Sequence, residues 1–255
     1  MARTVNVAAH EARRNAILDA AESAIAIRGY EHMAIADLLG ELHMSSGALY
    51  HYFDSKSTLL SALVERMGDQ AEQLVLPIVH NPTLSALDKL QRFVATLDHW
   101  KLAHKRFVLA YLRVWNADEN AIVRQKLIIE RYKRLMPWLE KIILQGREEG
   151  VFTARYPDQT ARVVVSLLDG LGQTVAELLL SQNRSHDLLP SLERIVEAHA
   201  DALERVLGVT SGSLQHTFRV RLAEWATAME KEDEPPDTRY RPQARDHPLL
   251  LHENR

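Results

Sequence analysis

The chain of 255 residues is long enough for one large or two modest domains, and its apolar content of 46% supports a sizeable core. It has no cysteine, which excludes disulfides, thiolate catalysis and cysteine-based zinc sites. The formal net charge is −3, and uninterrupted apolar runs are far shorter than the roughly 18 residues of a membrane span, so a cytoplasmic protein without a membrane partner is expected. Sparse glycine and the absence of β-branched runs with period two predict an all-α fold.

The first predicted helix runs from Glu11 to Arg28, and Gly29 stands in the position of its C-terminal cap. The residues before it show no periodicity and are expected to fray. Arg13 and Arg14 fall in the first turn of this predicted helix, where the helix dipole disfavours positive charge. Solvated surface and a phosphate clamp remain equally open interpretations of the two arginines.

The stretch Met33–Lys56 predicts a helix-turn-helix. Apolar residues of its first short helix recur three and four apart, at Ile35, Leu38, Leu39 and Leu42. His43 breaks the pattern, which resumes with Met44, Leu49 and Phe53 facing inward. Small, polar and aromatic groups then line the outer face of the second helix, as a helix lying in a DNA groove requires. These outer residues are Ser46, Ala48, Tyr50 and His51.

The chain from about Arg13 to Val64 resembles the TetR/AcrR family of one-component transcriptional regulators. The residues that carry the resemblance are Arg14, Ala20-Ala21, Gly29-Tyr30, Asp37-Leu38, Ser45, Gly47-Ala48-Leu49-Tyr50-His51-Tyr52-Phe53, Lys56 and Leu59-Leu60. Two positions depart from the family pattern. Met33-Ala34 stands where a Ser or Thr usually caps the second helix, and His43 stands where the turn usually has Gly, although His can adopt the left-handed conformation.

The resemblance implies a DNA-binding domain over residues 10–56 and a larger helical domain for effector binding and dimerisation over residues 57–208. We expect Tyr50, His51 and Lys56 to contact phosphates, and Ser46 and Ala48 to face base edges. The full set of expected DNA contacts is Arg13, Arg14, Ser45, Ser46, Gly47, Ala48, Tyr50, His51 and Lys56. A shift of the helix that begins at Lys56 is how family members transmit ligand occupancy.

The charge of the predicted DNA-binding domain is unusual for a nucleic-acid-binding protein. Residues 1–56 hold five Arg and Lys against seven Asp and Glu, so the domain is slightly acidic. A basic surface is the first test for nucleic-acid binding, and this domain fails it as a bulk property. DNA binding must therefore depend on where the few basic and polar groups lie.

Aromatic residues concentrate in the middle third of the chain, where the family has its effector cavity. Ordinary core packing is the alternative for each of them. Pro137 is expected to kink or divide the helix around it. The candidate effector-pocket residues are Trp100, Phe107, Tyr111, Trp115, Met136, Trp138, Asp169 and Gln173.

The segment Pro157–Leu180 is apolar nearly all round, and Leu188–Leu207 repeats an apolar stripe. A helix apolar on every side must be covered on every side, so these two helices predict a homodimer with a four-helix seam. Asp169, Gln173 and Glu177 form a polar line that marks the edge of this seam, or else points into the cavity. The candidate interface residues are Leu171, Val175, Leu178, Leu192, Val196 and Leu203.

An extra helix is predicted within residues 209–231, and residues 232–255, with four of the nine prolines, are predicted to be a disordered tail. No catalytic or metal-ligand spacing is visible, so neither an enzyme nor a cofactor is expected. The sequence predicts a homodimeric, sequence-specific regulator that binds double-stranded operator DNA and is a repressor released by a small hydrophobic effector. The alternatives are a ligand-independent regulator, or a helical binding or scaffold protein whose helix-turn-helix has decayed.

Overall fold

The computed structural model describes residues 7–115, 121–181, 188–219 and 222–230, and these residues form helices without any strand, which confirms the all-α class. The predicted tail lies outside the described residues. The described helices are α1 Val7–Arg28, α2 Ile35–Glu41, α3 Ser46–Tyr50, α4 Lys56–His80, α5 Ala86–Ala103, α6 Lys105–Trp115, α7 Ala121–Glu148, α8 Pro157–Leu180, α9 Leu188–Leu207, α10 Gln215–Arg219 and α11 Leu222–Glu230.

The N-terminal core, which we call the head core, gathers the inner faces of α1, α2 and α3 around Ile17, Leu38 and Leu49. It continues into the first half of α4 and includes two buried residues of α6, Phe107 and Ala110. The core of the predicted DNA-binding domain therefore does not end at residue 56. Periodicity alone could not reveal the contribution of α6, because an apolar stripe does not say which helix it will face.

A second core lies among α4, α5, α7, α8 and α9. Val75 and Val79 near the end of α4 belong to it, whereas Leu59 and Leu63 near its beginning belong to the head core. The helix α4 is thus a single element shared by both cores. The burial of its two ends couples the position of one core to that of the other.

Two helices differ from their predicted limits. The helix α1 begins at Val7 rather than Glu11, and the ring of His10 lies 4.6 Å from the ring of Tyr52, which gives this extra turn a tertiary partner. Pro137 does not divide α7, which continues as one helix because buried residues such as Leu139 and Ile142 pack it against its neighbours.

The extra helix predicted within residues 209–231 is described instead as α10 and α11, starting at Gln215 and Leu222. The buried carboxylate of Glu204 accepts hydrogen bonds from the backbone N–H groups of Gly212 and Leu214, at 2.8 and 2.7 Å. These bonds hold residues 212–214 in a turn, so the helix begins after them. Both helices pack on α9.

The helix α8 is long and apolar enough, by length and composition alone, to cross a membrane. Its most apolar window of 18 residues has a mean hydropathy of 1.6, and 22% of that window is buried within the chain. The buried part packs against α7 and α9. Much apolar surface of α8 is therefore left uncovered by the residues that the structure describes.

Candidate DNA interface and ligand domain

The turn between α2 and α3 closes as a Schellman motif. The N–H of Met44 donates to the carbonyl of Leu39 at 3.0 Å, and the N–H of His43 donates to the carbonyl of Gly40 at 3.3 Å. His43 has φ = 49°, and among the described residues it is the one non-glycine residue with positive φ. His43 thus adopts the left-handed conformation that the turn requires, and the helix-turn-helix is intact in the structure.

The two short helices differ in their N-terminal caps. Ala34 precedes α2 in extended conformation and supplies no side-chain hydrogen bond, as its side chain predicts. The hydroxyl of Ser45 accepts a hydrogen bond from the N–H of Ala48 at 3.3 Å and so caps α3. Ser45 therefore has a structural role within the helix-turn-helix that exists without DNA.

The helix α3 buries one side and presents the other to solvent. Leu49 is 1% exposed, and Phe53 just beyond the helix is also buried. Tyr50 is 49% exposed, and the outer face also carries Ser46 and His51. Gly47 faces outward as well, and a Cβ added there would meet no atom of the chain within 4 Å. Nothing in the described residues therefore requires glycine at this position.

Three of the residues predicted to contact phosphates also contact other groups of the protein. Arg13 donates from Nη2 to the carbonyl of Leu42 at 3.0 Å, and the guanidinium of Arg14 lies 5.5 Å from the ring centre of Phe53. Lys56 donates from Nζ to the carbonyl of Glu31 at 3.1 Å. Because α1 begins at Val7, the prediction that the two arginines lie in its first turn is wrong.

The environment of Lys56 also shifts the pKa of its side chain. Burial lowers the pKa of its ammonium group, while the Glu31 carboxylate acts in the opposite direction. The ammonium lies 4.5 Å from the ring centre of Tyr30. Lys56 therefore ties the start of α4 to the segment between α1 and α2.

Three of the seven acidic residues within residues 1–56 are paired with arginines. Asp37 forms an ion pair with Arg28. Arg66 of α4 binds two carboxylates of α1, Asp19 at 2.7 Å and Glu22 at 2.6 Å. Arg66 lies outside residues 1–56, and its neighbour Glu65 carries the opposite charge, so a domain extended to Arg66 keeps an excess of two negative charges. These pairs also connect α1 to α2 and to α4.

The predicted effector-pocket aromatics do not lie together. Trp100, Phe107 and Tyr111 pack with the head core, whereas Met136 and Trp138 pack with the second core. The side chain of the sixth, Trp115, lies outside the described residues. A shared aromatic cavity formed by the described members of this set is therefore a wrong prediction, because α6 turns its aromatic residues toward α1.

The polar line on α8 is divided in the same way. Asp169 binds Arg131 of α7 at 2.9 Å, and burial raises the pKa of its carboxyl group while Arg131 opposes the rise. Gln173 and Glu177 are exposed. Asp169 therefore holds α8 to α7, whereas Gln173 lies on the exposed surface of α8.

A small apolar cavity of about 10 Å³ lies among α5, α8, α9 and α10. That volume is about the minimum that holds one water molecule. A ligand of ordinary size can enter there only if side chains move. The cavity is lined by Leu90, Val94, Val164, Leu168, Leu203, Leu214 and Phe218, and none of these is a predicted effector-pocket residue.

The six predicted interface residues have two different positions. Leu171, Val175 and Leu178 on α8 are half-buried in the single chain. Leu192, Val196 and Leu203 are at most 3% exposed and lie inside the cores of the chain, so their assignment to a partner contact is wrong. The stripe on α9 faces its own chain, and a shallow groove is instead lined by Leu178, Ser191, Arg194, Ile195, Ala198 and His199.

Several residues that build this site were not found from the sequence. His10, Arg66 and Phe107 contact the head from positions that no local spacing connects to the helix-turn-helix. Arg134 of α7 likewise binds Asp69 of α4. No pattern within one helix predicts such pairs, because the partners are 42 or more residues apart in the chain.

Two family models match the chain. The model described as "Bacterial regulatory proteins, tetR family" matches residues 17–63, and the model described as "Tetracyclin repressor-like, C-terminal domain" matches residues 111–171. The first match contains the helix-turn-helix described above. Both are models of the TetR family, so the chain matches that family over these two segments. Ala34 and His43 lie within the first matched segment, which therefore tolerates both departures.

A curated relative is similar over part of the chain. The A-factor receptor protein of Streptomyces griseus is 33% identical over 168 residues, which cover 63% of this chain and 54% of the relative. The chain thus spans about half the length of this TetR-family relative.

Solved structures are similar in fold. RolR in complex with resorcinol has a TM-score of 0.56 at 18% identity, covering 84% of this chain and 96% of its own. A transcriptional regulator from Cytophaga hutchinsonii has a TM-score of 0.55 at 18% identity, covering 86% and 96%. Reduced NemR of E. coli has a TM-score of 0.51 at 17% identity, covering 78% and 99%. At these identities the similarity concerns the architecture.

Proposed function

We propose that the protein is a homodimeric, sequence-specific regulator of transcription that binds operator DNA in the cytoplasm through α3. The observation that carries this proposal is the outer face of α3, where Ser46, Gly47 and Tyr50 project from a correctly closed helix-turn-helix. Gly47 has room for a side chain within the protein, so an external surface accounts better for its lack of one. Close approach of the α3 backbone to DNA supplies that reason.

A mobility-shift titration on the DNA upstream of the protein's own gene tests this proposal. Affinity should fall with increasing salt, because phosphate contacts release counterions. Gly47→Ala should stabilise the short helix, by up to about 1 kcal/mol, yet weaken DNA binding. Gly40→Ala in α2 is the matched control, since Gly40 also has free space around it. If no DNA is bound, or if Gly47→Ala leaves affinity unchanged, the decayed-motif alternative is favoured.

The dimer is proposed to form through the outward faces of α8 and α9. The uncovered apolar surface of α8 and the groove beside Ile195 and Ala198 support this assignment. Ala198 is exposed, so Ala198→Arg should produce monomers in sedimentation without disturbing the fold. Ala103→Arg, at an exposed alanine near the end of α5, is the matched control. A dimer that persists in Ala198→Arg would place the interface elsewhere.

The proposed effector is a small hydrophobic molecule whose binding releases the protein from DNA, so that the protein acts as a repressor. The large apolar content of the second core supports this class of ligand, and RolR was solved with a small aromatic compound. A ligand that prefers one arrangement of the dimer would shift the α3 helices of the two protomers relative to each other, through α4. Screening hydrophobic compounds for thermal stabilisation, and then for release of DNA, tests this role.

A ligand-independent regulator is the second candidate function. The cavity of about 10 Å³ favours it, because a pre-formed effector site is usually much larger. The compound screen described above distinguishes the two candidate functions. A compound that both stabilises the protein and lowers DNA affinity supports the effector, whereas stabilisation without any change in DNA affinity supports the second candidate.

A further inference from the structure

Three arginines of α1 contact the helix-turn-helix at three different places. Arg28 pairs with Asp37 in the first turn of α2. Arg13 binds the carbonyl of Leu42 at the end of α2. Arg14 lies over the ring of Phe53, which follows α3. The helix α1 thus contacts the motif at its beginning, its turn and its end.

The hydrogen bond from Arg13 reaches the part of the motif whose backbone conformation is the least favourable. Leu42 is the C-terminal cap of α2, and the next residue, His43, is left-handed with φ = 49°. A side chain with a Cβ disfavours that conformation, which is why glycine is the usual residue at this position of a Schellman motif. A hydrogen bond from outside the turn therefore offsets part of the cost of this conformation.

We propose that Arg13 is a positioning residue that clamps the Leu42 carbonyl, holds His43 left-handed and thereby sets the direction of α3. This inference rests on the proposed function, because direction matters only if α3 reads DNA. A charged donor makes a stronger hydrogen bond to a carbonyl than a neutral donor does, and the guanidinium is fixed in direction. The five-residue helix α3 follows the turn directly, so a change in the turn changes its aim.

The alternative role for Arg13 is a direct phosphate contact. The two roles predict different salt dependence. Loss of a phosphate contact lowers the slope of log affinity against log salt by about 0.9, because one fewer counterion is released. Loss of a positioning bond lowers affinity at every salt concentration and leaves that slope unchanged.

The test is a cycle of Arg13→Met, His43→Gly and the double variant, with Arg28→Met as a control that removes the same charge from the same helix. Arg13→Met should lower DNA affinity about tenfold with an unchanged salt slope. In the His43→Gly background the same change should cost less than about threefold, because glycine adopts the turn without help. An equal loss in both backgrounds, or a slope reduced by about 0.9, overturns the positioning role.

Hydrogen exchange on the free protein tests without DNA whether Arg13 holds the turn. The amides of His43 and Met44 donate the two hydrogen bonds of the turn, so Arg13→Met should make both exchange at least several-fold faster. Arg28→Met should leave them unchanged. Unchanged exchange in Arg13→Met overturns the clamp. If the wild-type protein binds no DNA while exchange responds as expected, the proposed function fails and the clamp on the turn stands.

Discussion

Replacing Phe107 by Ala tests whether α6 is part of the DNA-binding head or part of an effector pocket. Phe107 is 3% exposed and lies in the head core, with its ring 6.4 Å from that of Tyr111. Removing a buried phenyl ring costs about 3–5 kcal/mol, as lost burial plus the cavity left behind. For a protein of this size that corresponds to a drop in the melting temperature of roughly 6–20 °C if unfolding is two-state.

The location of the damage distinguishes the two roles. Phe107→Ala should speed hydrogen exchange in α1 and weaken DNA binding, because α1 packs directly on α6. Phe152→Ala is the matched control, since Phe152 is equally buried but lies in the second core. It should cost similar stability and speed exchange first in α7, where its ring contacts Gly146. If Phe107→Ala leaves α1 protected and instead abolishes binding of a screened compound, α6 belongs to the effector pocket and the present account is wrong.

Three further results are expected. Tyr50→Phe should weaken binding to all DNA sequences alike, whereas Ala48→Val should change the order of preference among operators. Mobility shifts on an operator library measure both effects. If Tyr50→Phe changes the preference and Ala48→Val weakens all sequences alike, α3 is rotated relative to this account. Ala34→Ser should supply the missing cap of α2 and raise the free energy of unfolding by about 1 kcal/mol, and a thermal melt without any increase would contradict the cap argument. Ala198→Arg should lower the sedimentation coefficient to that of a monomer and weaken operator binding, whereas Ala103→Arg should do neither.

The second core suggests why a sensor role is harder to derive than a DNA-binding role. DNA has a fixed shape and chemistry, so an exposed short helix with small and aromatic residues already indicates its partner. A ligand cavity depends on what several helices leave unfilled between them. In this chain Trp100, Phe107, Tyr111 and Trp138, which the sequence associated with a cavity, pack in two separate cores, and a cavity of about 10 Å³ lies beside the second core.

The sequence by itself determined the local structure of the head. The apolar spacing of α2 and α3 and the cap at Ser45 each depend on residues within a few places of one another. The same local information predicted the apolar character of α8, but did not say how much of that surface the chain covers itself.

Only the tertiary structure decided which distant residues meet. It placed Phe107 in the head core, paired Arg66 with α1, and turned the stripe of Leu192 and Val196 toward the interior of the chain. A stripe states that one face of a helix must be buried, but its partner depends on the crossing angles and connections of all the helices together. The hydrogen bond from Arg13 to the Leu42 carbonyl likewise depends on how α1 packs on the turn, and the residues next to Arg13 in the sequence do not predict it.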